Sequence, residues 1–390
     1  MKIIYHNFFR LLISLALLCM ISISTLAQNC SSDLPDVLFY KNKNGTKCPV
    51  KSLFELELKK GQVLDSMEAL FGALPEMFTL PPFNSNTPEL PSFNTQVIDS
   101  LETPLYIRYN IKFTVAENED VTAYLYIPLV KKVKGRLPAI LALQPTGIDG
   151  KKIVDGQGPN PNRAYGKELA ERGYVVIAPD YPSFGDQKEY DFKTDRYESG
   201  VMKAIFNHIR CVDYLQSMPN VDPERIGVIG HSLGGHSAMY VAAFDTRLKV
   251  IVSSCGWTLN RYYNNYNEKM RIETGSRLWG KVQERYTPLA LTKYNLELDK
   301  MPFDFDDVIA VLSPRYFFSN SPINDANFNV EGVRIGIAHA SEVYRLYNAE
   351  DNIQVRYPIA DHDFPTEIRR EAYEFVDRVL QHLPNTHIME

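Results

Sequence analysis

The sequence predicts an α/β protein with a mostly parallel central sheet and helices on both of its faces. From about residue 139 onward, short apolar runs typical of buried strands alternate with longer runs typical of helices. Alternation of this kind builds parallel sheets. Within it, the pentapeptide Gly230-His231-Ser232-Leu233-Gly234 joins a predicted strand to a predicted helix. A tight turn between strand and helix exposes a serine hydroxyl at the carboxyl edge of the sheet.

The first 27 residues have the features of a secretory signal peptide. A basic start precedes an apolar run over residues 11–23, and Thr25-Leu26-Ala27 is a small-residue cleavage site. We therefore expect a mature chain that begins at Gln28, has no membrane span, and is secreted or periplasmic. The asparagine before Cys30 disfavours a lipid anchor on that cysteine.

Residues 28–100 are predicted to form an N-terminal helical lead-in and linker. Residues 52–74 place apolar side chains at helical spacing, and the Pro- and Asn-rich stretch 81–91 predicts an extended connector. Cys30 and Cys48 flank a polar segment of this lead-in. In an exported protein, two such cysteines are candidates for a disulfide.

Residues 101–390 form the predicted main domain, which opens with a hairpin at residues 106–115 and 121–128. The strands predicted after the hairpin are 139–143, 174–178, 225–229, 249–253, 315–319 and 353–357. The predicted helices are 162–172, 198–217, 237–243, 333–347 and 365–382. Between residues 256 and 313 the alternation lapses in a segment rich in Tyr and Trp. This insertion either forms a lid or substrate wall over the strand ends, or packs without a role in binding.

Ser232 is the candidate nucleophile of this domain. A serine hydroxyl needs a general base, and the base needs an orienting acid. On a sheet of this type the three follow in the order serine, acid, histidine. His362 follows the predicted strand 353–357, whereas His339 falls inside a predicted helix and the last two histidines lie at the end of the chain. We therefore predict His362 as the base.

Asp325 is the predicted acid, because it follows the end of the preceding strand, 315–319. Three other aspartates are alternatives. Asp361 and Asp363 are too close to His362 in sequence to reach its Nδ1 easily, and Asp351 follows a helix, at the wrong end of the sheet.

The oxyanion of an acyl-transfer reaction needs two backbone N–H donors. Leu233 supplies one, directly after the serine at the start of its helix. The other is predicted in the loop after the strand 139–143. Pro145 has no N–H to donate, so we predict Thr146.

The order of Ser232, Asp325 and His362, with Gly-His-Ser-Leu-Gly-Gly around the serine, resembles the alpha/beta-hydrolase superfamily over residues 105–385. The segments Pro179-Asp180-Tyr181-Pro182-Ser183-Phe184-Gly185 and Ser313-Pro314-Arg315 resemble exported bacterial hydrolases of the dienelactone-hydrolase and acetylxylan-esterase-like group. This resemblance implies a serine hydrolase of carboxylic esters, often linked to plant polysaccharide breakdown. The chain departs from dienelactone hydrolases in having a serine nucleophile, and Gln144-Pro145 replaces the usual His-Gly of the oxyanion loop.

Other polar residues near the motif are interpreted as structural. They are His231 and His236 beside the serine, His208, Arg210 and Asp213 on the preceding helix, Cys211 and Cys255 as buried thiols, and Asp180, which alternatively borders the pocket. We expect no cofactor and no metal, because no Cys/His cluster has metal-ligand spacing and no glycine-rich loop suits a phosphate.

The formal net charge of −5 over 390 residues gives no indication of nucleic-acid binding. The predicted function is that of an exported esterase, with a small-molecule or polysaccharide-linked ester as substrate. A prolyl-oligopeptidase-type peptidase is one alternative, although the region before the hairpin is too short for its propeller. A binding protein that kept the fold without catalysis is another. The sequence does not predict the oligomeric state.

Overall fold

The computed structural model describes residues 35–76, 93–129, 135–192, 195–263, 277–278 and 286–385. The predicted signal peptide and Cys30 therefore lie outside the described residues, and the Cys30–Cys48 disulfide stays a prediction. The chain divides into two compact units, residues 1–59 and 60–390. Among the described residues, no helix combines the length and the apolar character needed to cross a bilayer.

The described part of the first unit is a small antiparallel hairpin followed by the start of a helix. Strand β1, Phe39–Lys41, pairs with β2, Lys47–Pro49, and Cys48 lies in β2. Helix α1, Leu53–Phe71, begins here. Ser52 and Glu55 exchange hydrogen bonds in the first turn, with Glu55 N–H donating to the Ser52 hydroxyl at 3.2 Å. The Ser-x-x-Glu sequence favours the start of a helix at this point, because the two side chains satisfy backbone N–H groups that a helix start leaves unpaired.

The second unit is built on a nine-stranded sheet in the order β11-β10-β9-β8-β6-β7-β5-β4-β3. The strands are β3 Gln96–Glu102, β4 Tyr106–Ala116, β5 Glu119–Pro128, β6 Leu137–Leu143, β7 Val175–Pro179, β8 Val221–His231, β9 Leu248–Ser254, β10 Tyr316–Asn320 and β11 Ile353–Arg356. The helices are α2 Tyr165–Glu171, α3 Gly200–Ser217, α4 Leu233–Phe244, α5 Pro288–Thr292, α6 Phe305–Leu312, α7 Val330–Leu346 and α8 Thr366–Val379.

Strands β6 to β11 pair in parallel, whereas β3, β4 and β5 form an antiparallel extension that joins β7. Side chains of the parallel strands alternate between two apolar layers. Leu141 of β6 and Val228 of β8 point into one layer, and Ile140 and Ile229 point into the other. The first layer includes α3, α4, α6 and α7, and the second includes α2 and α8. The predicted mostly parallel sheet with helices on both faces is confirmed.

The structure departs from two of the predicted bounds. The predicted boundary at residue 100 falls inside β3, which pairs with β4 and so belongs to the main sheet. The predicted helix 162–172 is a 3-10 turn, Pro161–Arg163, followed by the shorter helix α2. Helix α6 lies within the predicted insertion 256–313, yet its buried side chains belong to the core of the second unit.

Candidate active site

Ser232 lies between the end of β8 and the start of α4, in a backbone conformation that serine rarely adopts. Its φ is 55° and its ψ is −119°. Such a conformation costs about 1–3 kcal/mol and persists only where the surroundings enforce it. Here the Ser232 N–H donates to Ser254 O at 2.8 Å, and the Ser232 carbonyl accepts from Gly235 N at 2.8 Å. The turn is therefore held from both sides, by β9 and by the first turn of α4.

Two glycines allow this turn because backbone packs directly against backbone. A Cβ atom on Gly230 would lie 2.0 Å from Gly234 O, and one on Gly234 would lie 2.1 Å from Leu143 O. Both distances are far shorter than a carbon–oxygen contact permits. The glycines of the pentapeptide therefore have a steric cause, and the loop after β6 lies directly against the serine turn.

His362 and Asp325, predicted from separate strand ends, are hydrogen-bonded to each other. His362 Nδ1 lies 2.9 Å from Asp325 Oδ2 and 3.0 Å from Oδ1. The Asp325 side chain is buried, and its Oδ1 also accepts from Asn327 N at 2.8 Å and Phe328 N at 3.1 Å. These donors fix the carboxylate in one orientation, and the carboxylate in turn fixes the imidazole ring.

The neighbour of His362, Asp363, anchors the loop. Its carboxylate accepts from Asn162 Nδ2 at 2.6 Å and pairs with Arg163, whose Nη2 donates to His362 O at 2.9 Å. Burial opposes ionisation of Asp363, but the bonds from Arg163 and Asn162 outweigh burial and lower its pKa. Asp363 is thus engaged elsewhere. Asp351 lies in the turn that precedes β11, at the other end of that strand.

The predicted oxyanion donors lie on the two segments that meet at the serine turn. Leu233 is the first residue of α4, where backbone N–H groups have no partner within the helix. Thr146 is exposed in the loop after β6, two residues beyond the buried Gln144. The Gln144 side chain hydrogen-bonds to no group in the described part of the chain. The assignment of Leu233 and Thr146 as donors stays a prediction.

Of the two histidines beside Ser232, His231 is buried and His236 is half-buried. The pKa of His231 is held well below its usual value, first by burial and then by the charges of Arg163 and His362. Burial also lowers the pKa of His236 to about 4 and that of His208 to about 3. The side chain of His362, in contrast, is 26% exposed.

Cys255, which the sequence suggests is a buried thiol with no further role, lies close to His231 and His362. Its Sγ donates to Asp363 O at 3.1 Å. Burial and the Asp325 carboxylate raise the pKa of the thiol well above its usual value. Ligand atoms of His231, Cys255 and His362 all lie within 4.8 Å of one another. No sequence spacing signals this cluster, because its members come from the ends of three different strands.

The aromatic residues of the insertion divide into two groups. Tyr263 stacks on Phe328 with ring centroids 5.2 Å apart, and Phe328 stacks on His362 at 5.9 Å. A cavity beside this column is lined by Tyr263, Phe328, Tyr286 and His236, among others. Trp257, in contrast, is buried and donates from Nε1 to Ser319 Oγ at 2.9 Å, so it packs the core. Tyr266 and Trp279 lie outside the described residues.

The other residues that the sequence suggests are structural have clear partners. Asp180 is buried and binds Lys151 Nζ at 2.6 Å, which leaves it no part in the pocket. Arg210 pairs with Asp213 on α3, as an ion pair along one helix face.

The chain is similar to several known proteins. A family model described as glucuronyl esterase of fungi matches residues 179–348. YtaP of Bacillus subtilis, which is named as a hydrolase, is 29% identical over 67% of this chain and 85% of its own. The carbohydrate esterase MZ0003, from an unknown prokaryote, is 27% identical over 62% of this chain and 64% of its own. A solved glucuronoyl esterase from Solibacter usitatus superposes with a TM-score of 0.63 at 21% identity, over 89% of this chain and 98% of its own.

The superposition shows the fold, and the matches to named esterases show the class. The chain has the alpha/beta-hydrolase fold and is an esterase, as its sequence predicts. Within that class, the proteins it resembles are named as hydrolases, carbohydrate esterases and glucuronoyl esterases.

Proposed function

We propose that this chain is an exported serine esterase that cleaves carboxylic esters attached to carbohydrate. Ser232 is the nucleophile, His362 the general base and Asp325 the acid that orients it. One observation carries the proposal: the buried Asp325 carboxylate lies 2.9 Å from Nδ1 of His362, whose imidazole is partly exposed. Both residues follow strands of the sheet whose strand β8 ends at the Ser232 turn.

The reaction has two halves. In the first, His362 removes the Ser232 proton as Oγ attacks the ester carbonyl, and the protonated imidazole then gives that proton to the leaving alcohol. Backbone N–H groups of Leu233 and Thr146 bind the oxyanion that forms between these steps. In the second half, His362 activates a water that hydrolyses the acyl-serine. Asp325 stabilises the imidazolium at each stage and keeps the ring in one tautomer.

The substrate class is supported by the comparisons and by the aromatic column. The matching family model and the Solibacter structure are named for glucuronoyl esters, and MZ0003 for carbohydrate esters. Aromatic faces such as Tyr263 and Phe328 suit the C–H surface of a sugar ring. In a glucuronoyl ester the sugar is the acyl group, whereas in an acetylated xylan the sugar is the alcohol. We favour the glucuronoyl ester.

The export half of the proposal depends on residues 1–27 and has its own measurement. N-terminal sequencing of protein recovered from the periplasm or medium should begin at Gln28. A mature chain that retains residues 1–27 contradicts the proposal of a cleaved signal.

The test of the reaction combines a nucleophile variant with a substrate panel. Ser232→Ala should abolish ester hydrolysis and labelling by a fluorophosphonate probe. Ser237→Ala, a change at a buried serine one turn along the same helix, should preserve both. The panel holds a methyl glucuronate ester, acetylated xylan and a proline-amide peptide. Labelling that persists in Ser232→Ala would show that Ser232 is not the nucleophile. Cleavage of the peptide alone would show that the protein is a peptidase and not an esterase.

A further inference from the structure

Three metal-ligating side chains converge beside the serine turn, and the proposed reaction uses one of them. His231 ends β8, Cys255 follows β9 and His362 lies in the loop after β11. One ligand atom from each, a ring nitrogen or the thiol sulfur, lies within 4.8 Å of the other two. His231 and Cys255 are buried, and the partly exposed His362 connects the cluster to solvent.

The donor set is one that Zn²⁺ and similar soft divalent cations prefer. Thiolate and imidazole bind Zn²⁺ at about 2.3 Å and about 2.0–2.1 Å, usually with tetrahedral geometry. Those bond lengths place neighbouring ligand atoms roughly 3.3–3.6 Å apart. The cluster therefore needs to contract by at most about 1.2–1.5 Å at its widest separation. The side chain of His362, on a loop and partly exposed, is the member with room to make that movement.

The two histidines already have the outer partners that metal-binding histidines use. His231 Nδ1 lies 2.9 Å from Ser254 Oγ, which also accepts from Asn320 Nδ2 at 2.8 Å. His362 Nδ1 is held by Asp325. Bonds of this kind to one ring nitrogen orient the ring toward a metal at the other.

A second observation points to a ligand. The Nε2 atom of His231 is fully buried and forms no hydrogen bond with any residue that the structure describes. Leaving such a group without a partner is unfavourable, because burial removes its hydrogen bonds to water. The unpartnered nitrogen belongs to the same histidine that contributes to the three-residue cluster, so a bound cation would satisfy it.

We propose that His231, Cys255 and His362 bind one soft divalent cation, Zn²⁺ or Cd²⁺, and that the bound ion stops ester hydrolysis. The inhibitory half rests on the proposed function, in which His362 is the base. When the ion binds, the Cys255 S–H bond breaks, its proton passes to the buffer and a metal–sulfur bond forms, with no change of oxidation state. A His362 ring that is tied to the metal cannot accept the Ser232 proton. Metal binding and catalysis are therefore mutually exclusive.

Direct binding is measured first, on untagged Ser232→Ala protein, so that no turnover is needed. Calorimetry with ZnCl₂ should find one ion per chain, and CdCl₂ should produce a thiolate-to-metal absorption band. Adding Cys255→Ser should weaken zinc binding by at least about tenfold, since even losing an outer partner of a metal ligand costs about 10–100-fold. The matched control is Cys211→Ser, which changes a buried thiol on α3 and should leave binding unchanged. Equal binding in both thiol variants overturns the site.

Inhibition is measured second, on protein that retains Ser232. Zn²⁺ should inhibit ester hydrolysis, and a chelator should restore it. The zinc concentration for half-inhibition should rise at least about tenfold in Cys255→Ser, each protein being compared with its own metal-free rate. A normal esterase whose zinc sensitivity does not depend on Cys255 overturns the metal site and leaves the proposed function standing. Zinc binding that depends on Cys255 in a protein without esterase activity supports the site and contradicts the proposed function instead.

Discussion

Asp325 and Asp180 show how one position in the fold can serve two purposes. Each lies past the carboxyl end of a parallel strand, β10 and β7, and each is 1% exposed. Asp325 faces the ring of His362, whereas Asp180 accepts from Lys151 Nζ at 2.6 Å, Lys151 N at 2.8 Å and Thr122 Oγ1 at 2.7 Å. The two aspartates therefore differ in their partners and not in their place on the sheet.

The partner decides what each aspartate can do. The Lys151 side chain is almost entirely enclosed, and a Cβ on Gly185 would lie 1.9 Å from Asp180 Oδ1, so no substrate atom can enter. Asp180 and Lys151 therefore form a fixed buried ion pair. His362 is partly exposed, so the partner of Asp325 can reach solvent. In the proposed function Asp325 orients the proton acceptor, whereas Asp180 ties the loops after β6 and β7 together.

The largest expected effect is at the base. His362→Ala should lower kcat for ester hydrolysis by about 10⁶-fold, because members of a catalytic triad act as a unit. Thermal unfolding should be little changed, since His362 is only partly buried. His339→Ala removes a histidine from α7 and should leave kcat within a few-fold of the wild-type value. If both variants retain most of the activity, His362 is not the base.

Asp325→Asn should have the next largest effect, a loss of about 10⁴-fold in kcat, because an amide permits the wrong tautomer of the histidine. Its fold should be intact, since asparagine fills the same space. Asp361→Asn is the matched control, an exposed neighbour of His362 in sequence. An equal loss of kcat in Asp361→Asn, with Asp325→Asn nearly active, would transfer the role of the acid to Asp361.

The sequence was sufficient to predict the parallel part of the sheet, because its strands are apolar runs between amphipathic helices. It did not predict β3, in which every residue of Gln96–Glu102 is exposed, so that no buried face marks the strand. The three-residue strands β1 and β2 are too short to show any alternation.

In the site, too, only the features that leave a local pattern in the sequence could be predicted. Strand order placed Asp325 and His362 at one edge of the sheet, and the structure brings them within hydrogen-bonding distance. The approach of Cys255 to His231 and His362 depends on how three strand ends pack, and no local pattern records that packing. The ion pair between Asp180 and Lys151 could not be predicted from the sequence either, because the position of Asp180 in the sequence does not reveal Lys151 as its partner.

Asp180→Asn tests the difference between the two aspartates, since it should lower the stability of the fold and leave the rate of ester hydrolysis nearly unchanged. Without Asp180, the enclosed Lys151 charge keeps only the partly exposed Asp186 as a counter-charge. Removing one member of a buried ion pair costs about 3–5 kcal/mol in the free energy of unfolding. The value of kcat/KM should change by no more than a few-fold. Urea denaturation measures the first quantity, and ester hydrolysis by the folded protein measures the second.

Asp186→Asn is the control for this variant. Asp186 binds the same Lys151 Nζ, but its side chain is 40% exposed. Removing an exposed partner should cost less than about 1 kcal/mol. If Asp180→Asn costs no more than Asp186→Asn, the buried pair is not the structural tie described above.

The half-buried Asp304 tests the comparison from the other side, because no ion pair joins it to a cation among the described residues. It lies at the start of α6, where its carboxylate accepts from Phe305 N at 2.7 Å and Asn260 N at 2.9 Å. Burial raises the pKa of Asp304 to about 7. The charges of Asp306 and Asp307 also raise this pKa, whereas the hydrogen bonds from the two backbone N–H groups lower it.

The last expected effect is a dependence of stability on pH. Between about pH 4 and pH 7 the folded chain keeps the Asp304 proton, whereas the unfolded chain has lost it near the ordinary aspartate pKa. The folded state then binds more protons than the unfolded state, so the free energy of unfolding should fall as pH rises through this range. Asp304→Asn should remove this contribution, because asparagine still caps the helix and does not titrate. Urea denaturation at a series of pH values measures the slope, with the exposed Asp299→Asn as control. An unchanged slope in Asp304→Asn would mean that Asp304 is ionised in the fold without a counter-charge, and that burial alone does not separate it from Asp180 and Asp325.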